Sequence, residues 1–165
     1  MLDDGISNNL SEITINGSII ESTFIAIESD VATNLSLVTD DDNGLILSSL
    51  TSSGSLIVYE KANNSEIWNS ILLPQPQQVG IANTIQAIGG DVPIIAVNSE
   101  LDTIYAKISG NWQVIGDSIG SEMEEFTIMS ADNQIFVLSR EMETNSIIWS
   151  SMEFTQGKNV DETWH

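Results

Sequence analysis

The chain has 165 residues, enough for one domain with a core of its own, and it has no cysteine, which excludes a disulfide framework, thiolate chemistry and any Cys-based metal site. Its 24 acidic residues against four basic ones give a formal net charge of -20. Nucleic acid and anionic membranes are therefore excluded as partners, because both need clustered Lys and Arg, and Lys61, Lys107, Arg140 and Lys158 stand singly.

Met1-Leu2-Asp3-Asp4-Gly5 opens the chain without the apolar core of an export signal, and no run approaches the roughly 20 apolar residues of a membrane-spanning helix. Residues 1–11 are polar and turn-rich, which predicts a loose arm. An all-β domain is expected over 12–154, an antiparallel meander of roughly 10 to 13 short strands. Ile13 to Ile20 reads as a hairpin around an Asn16-Gly17 turn. Thr23–Glu28, Leu35–Thr39, Leu45–Leu50, Ser55–Lys61 and Ile67–Leu73 follow as strands, with turns at Asp42-Asn43-Gly44, Ser52-Ser53-Gly54 and Ala62-Asn63-Asn64. Pro74-Gln75-Pro76-Gln77-Gln78 cannot enter a sheet interior and divides the domain into halves 12–73 and 79–154. Val79 to Ile88 reads as a strand or a short helix, and Glu122 to Glu125 as one helical turn. Residues 155–165 form a C-terminal tail.

One pattern recurs: an apolar run, a turn, an alternating run, a turn, then a tryptophan at a third run. Its copies are Pro93–Val97, Thr103–Ile108 and Trp112–Ile115; Phe126–Met129, Gln134–Leu138 and Ile147–Trp149; and, more worn, Leu45–Leu50, Leu56–Tyr59 and Ile67-Trp68. Trp68, Trp112 and Trp149 lie 44 and 37 residues apart, close to the length of a propeller blade. Residues 92–116 resemble a β-propeller blade. More narrowly, Ile135 to Glu141 leading to Asn145-Ser146-Ile147-Ile148-Trp149-Ser150 is similar to strands in tail nozzle proteins of short-tailed bacteriophages. In those proteins a strand ending in a charged pair is followed by an asparagine, an apolar pair and a tryptophan. The resemblance implies propeller-blade-like repeats, with a β-sandwich as the alternative. About three blades are too few to close a ring of four to eight, so other subunits are expected to complete it.

The regular tryptophans suit packing between sheets, which predicts that Trp112 and Trp149 are largely buried; stacking on a sugar is the alternative. Asp40-Asp41-Asp42-Asn43-Gly44 invites a Ca²⁺ reading through Asp40 and Asp42. Aligned as an EF-hand loop, however, it places Thr39 at the first ligand position and Leu50 where a bidentate Glu belongs, so an acidic hairpin tip is expected instead. The sole histidine, His165, is the terminal residue, and no Ser/His/Asp constellation, phosphate loop or metal-ligand spacing is present. The four Asn-x-Ser sequons, at Asn9, Asn16, Asn34 and Asn63, are what a chain rich in Asn and Ser produces by chance. No enzymatic activity and no cofactor are expected. Trp164 and His165 are the expected partner contacts. The sequence thus points to a non-enzymatic structural protein of a virion, in the head or tail of a phage, working with protein subunits as a homo-oligomer or hetero-complex. The alternative is an extracellular carbohydrate-binding, lectin-like module.

Overall fold

The computed structural model describes residues 8–28, 32–51, 54–73, 84–98, 103–117, 123–131, 134–141 and 144–153. Short apolar runs in period-two alternation, cut by Gly, Asn, Asp and Ser, give strands and no helix among these residues. A hairpin of β1 (Asn8–Asn16) and β2 (Ile19–Glu28) comes first. The first sheet is the meander β3 (Ala32–Thr39), β4 (Leu45–Thr51), β5 (Leu56–Lys61) and β6 (Asn69–Leu72). The second repeats it with β7 (Thr84–Ile88), β8 (Ile94–Asn98), β9 (Thr103–Ile108) and β10 (Asn111–Asp117). The third holds β11 (Met123–Ala131), β12 (Gln134–Glu141) and β13 (Ile147–Glu153). The expected all-β meander is therefore present, as small antiparallel sheets stacked in series.

Several boundaries differ from expectation. Asn8 to Ser11, read as part of the arm, belong to β1, where pairing with β2 supplies the backbone partners that an isolated polar segment lacks. The runs Ile13–Ile20 and Thr23–Glu28 form one long hairpin whose loop is Gly17-Ser18, one residue later than the Asn16-Gly17 turn, with positive φ (61°) at Gly17. Met123 to Glu125 extend β11 and do not form a helical turn, since pairing with Glu141 and Arg140 overrides their local helix preference. The strand-or-helix ambiguity before Gly89 resolves as the strand β7. The Pro/Gln loop 74–78 and the tail 155–165 lie outside the described residues.

The second sheet puts one face against the first sheet and the other against the third. Ile46, Leu50, Leu56 and Val58 of the first sheet close on Ile85, Ile95, Val97 and Tyr105 of the second. Burial pushes the Tyr105 phenol up to about 12. On its other side the second sheet presents Ile94, Ala96, Ile104 and Ala106 to Ile128, Ile135 and Val137 of the third. Both faces of the middle sheet are thus apolar, which is why β8 reads as a continuous run and not as clean alternation. The first strands, β3, β7 and β11, lie next to one another, and a polar side chain crosses each seam there. Ser36 Oγ accepts from Ala87 N–H at 3.1 Å, and Gln86 Oε1 accepts from Ile128 N–H at 3.2 Å. Ser48, also buried, donates to the Ser36 carbonyl at 3.1 Å.

The corners of the first two sheets meet at a glycine pair. Gly90 N–H donates to the Thr39 carbonyl at 2.9 Å, and a Cβ on Gly89 would run into that same carbonyl. Gly89→Ala is expected to force the seam apart and cost about 3 kcal/mol or more, as overpacking against backbone does. Gly110→Ala meets nothing within 4 Å and suffers only from its φ of 81°, a cost of about 1 kcal/mol. Denaturant melts of the two variants should rank them in that order; equal losses would show that the Thr39 corner yields freely.

Candidate functional site

Two of the tryptophans belong to a device repeated along the stack. Lys107 is the next-to-last residue of β9, and the I′-type loop Ser109-Gly110, with both φ positive, brings Trp112 opposite it. Glu60, on the neighbouring sheet, accepts from both: Lys107 Nζ at 2.7 Å and the Trp112 indole N–H at 2.7 Å. One seam earlier Glu12 of β1 does the same work. Its carboxylate takes Lys61 Nζ at 2.7 and 2.9 Å and the Trp68 indole N–H at 3.2 Å, with the ammonium 5.7 Å from the Trp68 ring centre. The lysine and glutamate side chains of both pairs are about one-fifth exposed, so water screens these contacts less than it would on an open surface. The hydrogen bond from Lys61 holds the Glu12 carboxyl below its ordinary 4.5, against the opposing effect of lost hydration. The carboxylates of these clamps were not singled out in the sequence. Their signal is a lysine at a strand end with a tryptophan a few residues on, across a tight turn.

Trp149 breaks the series. Trp112 is partly buried against the first core, but Trp149 is 63% exposed, contrary to the expectation of burial. The cause is the phase of the repeat. Trp68 and Trp112 stand at the fourth strand of their sheets, whereas Trp149 lies on the third strand of its own, opposite Leu138 and two residues past Ile147, the partner of the cation Arg140. Aligning copies by hairpins shifted the last copy by one strand, because every hairpin in a meander looks alike. Trp149 stacks on Phe136, with ring centres 5.9 Å apart and planes at 15°. Together with Thr127, Met129 and Leu138 they line a groove of about 520 Å³ on the trailing face of the third sheet. Ile128 and Val137, which also border it, send their side chains to the opposite face. In the first two sheets this face is covered by the next sheet; here Met129 is 61% exposed.

The calcium candidates are otherwise engaged or open to solvent. Asp40 Oδ1 accepts from Gly44 N–H at 2.6 Å and its backbone closes the turn with Gly44 and Asn43, while Asp42 is exposed. Among the described residues no group of acidic or histidine side chains is placed to hold a metal ion. Lost hydration, joined by the charge of the facing Asp91, raises the Asp41 carboxyl above its ordinary value. Trp164 and His165 lie outside the described residues.

Two outcomes follow from the clamps. Glu60→Ala leaves a half-buried ammonium and an indole N–H without their acceptor, an expected loss of about 2 kcal/mol in chemical denaturation. Glu12, with its lowered folded value, contributes stability that is complete above 4.5 and disappears as pH falls through the folded value. The stability gap between the wild type and Glu12→Gln should therefore shrink from neutral pH to about pH 3. A gap that stays constant over that range would refute the assignment.

No protein-family model matches the chain. No curated protein matches it either. Among solved structures it is similar to the WD40 domain of SCAP from fission yeast, with a TM-score of 0.64 and 14% identity over 89% of this chain. That alignment covers 36% of the SCAP chain, so this protein spans about a third of its length. At such identity the likeness speaks to fold alone, and it agrees with the seams described above: the chain is a run of propeller-type sheets.

Proposed function

We propose that the protein is a non-catalytic interaction module that acts by docking protein subunits, with the trailing face of the third sheet as its docking surface. The observation that carries this reading is the groove itself, an apolar surface that the same fold covers at every earlier seam. Thr127, Met129, Phe136, Leu138 and Trp149 offer a hydroxyl and an indole N–H but no charge. That lining suits apolar side chains of a protein and is poor in the polar partners that sugar hydroxyls require. Trp112, the candidate sugar platform, is partly buried and its indole N–H is taken by Glu60. The narrower placement, a head or tail component of a phage virion, is supported by the resemblance of residues 135–150 to tail nozzle strands, in which Arg140 reaches Asn145 at 3.4 Å.

A photo-crosslinking amino acid at Leu138, introduced into the full chain in its source cells, is expected to give protein adducts on denaturing gels. The same group at the exposed turn residue Asn63 should give none. Purified protein should bind nothing on a glycan array. Glycan binding lost in Trp149→Ala, or no adduct at 138, would overturn the reading.

A further inference from the structure

We infer that Asn16, at the tip of the β1–β2 hairpin, is a site of self-modification: its side-chain amide leaves as ammonia and the residue becomes isoaspartate or aspartate. The inference is independent of the groove on the third sheet. Asparagine reacts in this way when the backbone nitrogen of the next residue reaches its own Cγ. That nitrogen has to be free of other partners, and a glycine after the asparagine lets it come close because no Cβ stands in the way. The sequence has two Asn-Gly pairs, Asn16-Gly17 and Asn43-Gly44.

The fold treats the two pairs in opposite ways. Gly44 N–H is tied to Asp40 Oδ1 at 2.6 Å, a charge-assisted contact, and Asn43 is held in the left-handed region at a φ of 60°. Asn64 and Asn145, which stand in turns before a serine, are guarded in the same manner. Ser65 N–H donates to the Ala62 carbonyl at 3.0 Å, and Ser146 N–H donates to Thr144 Oγ1 at 3.1 Å. Gly17 N–H has no such partner among the described residues. Asn16 pairs with Ile19, so Gly17 is the first residue of the loop and its N–H lies outside the ladder. A Cβ on Gly17 would meet nothing within 4 Å, and every residue from Ile13 to Ser22 is exposed. The Asn16 side chain therefore has room to fold back over the Gly17 nitrogen, and water has access to the product.

The step needs no oxidant and no cofactor. The Gly17 nitrogen gives up its proton to water and bonds to Asn16 Cγ; the Cγ–Nδ2 bond breaks and ammonia leaves, closing a succinimide ring. Water then opens the ring at either of its carbonyls. Opening on the Cα side gives isoaspartate, whose main chain runs through the former side-chain methylene, and opening at Cγ gives aspartate. Both products place a carboxylate beside Ile15, Ile19 and Ile20, which are exposed, so an apolar tip acquires a charge. The extra methylene of isoaspartate also takes the Asn16–Ile19 pair out of register. Glu12 still holds the base of the hairpin at Lys61 and Trp68.

Peptide mass mapping of the purified full chain, aged in neutral buffer at physiological temperature, tests this. The peptide that holds Asn16 should gain the mass difference between an amide and a carboxylic acid. Its isoaspartate fraction should accept a labelled methyl group from a protein isoaspartate methyltransferase, and Asn16→Gln should abolish that label. Asn43 should react at least about tenfold more slowly than Asn16, because the Gly44 N–H must first leave a charged acceptor. In denaturant, where neither pair keeps its fold, the two should react at comparable rates. Equal rates at Asn16 and Asn43 in the folded chain would overturn the proposal. So would an Asn16 that survives in the folded chain and reacts only in denaturant, or a label on the hairpin peptide that persists in Asn16→Gln.

Discussion

A β-sheet with two apolar faces has to be covered twice, and that requirement organises this protein. The first sheet cannot bury Ile46, Leu50 and Val58 without the second, and the second cannot bury Ile94 and Ile104 without the third. Each covering sheet brings another apolar face with it, so the solution to one exposure creates the next. Twisted sheets packed in series with their first strands together fan about a common axis, which is the geometry of a propeller. A ring removes the problem because its last face meets its first. A stack of three sheets does not, and it is left with Leu35 and Leu37 at one end and Met129, Leu138 and Trp149 at the other.

The charge distribution answers a different problem, that of fixing how far each sheet rotates against its neighbour. Apolar side chains attract without direction, whereas a carboxylate shared by an ammonium and an indole N–H has a narrow geometry. Two of the four cations in a strongly acidic chain sit in such clamps, both at seams, and a third seam contact is made by Gln86 without any charge. The seam between the second and third sheets has Ala106 where the first sheet has Glu60, and among the described residues it relies on burial and on that amide. Surplus negative charge elsewhere stays on turns such as Asp40 to Asp42, where Asp42 is open to water and Asp40 is held by the Gly44 N–H.

Much of the fold was legible because strand signals are local. Alternation, the Asp42-Asn43-Gly44 and Ser109-Gly110 turns and the absence of any helical period place nearly every strand. The phase of the repeat was not legible, because a meander carries no mark that distinguishes its second hairpin from its third. Trp149 consequently passed for the equivalent of Trp112, although the register sets it opposite Leu138 and not opposite a cation. The same displacement hid the groove. Met129, Phe136 and Leu138 look like ordinary core residues until the order of the sheets shows that no described sheet follows them. The clamps were hidden for another reason, since Glu12 and Lys61 are 49 residues apart and no local pattern joins them.

The polar residues on the first strands explain why the sheets do not slide. A shift by one residue along β7 would turn Ile85 and Ala87 away from the first core and put Gln86 in their place. The hydrogen bond from Ala87 to Ser36 fixes the register against that error, and the bond from Ile128 to Gln86 repeats the constraint one seam later. Neither bond adds much net stability, because water would satisfy the same groups in the unfolded chain. Their effect is on choice: among the apolar sheets that could lie on a given face, only one with a backbone N–H at the right height satisfies the polar atom buried with it.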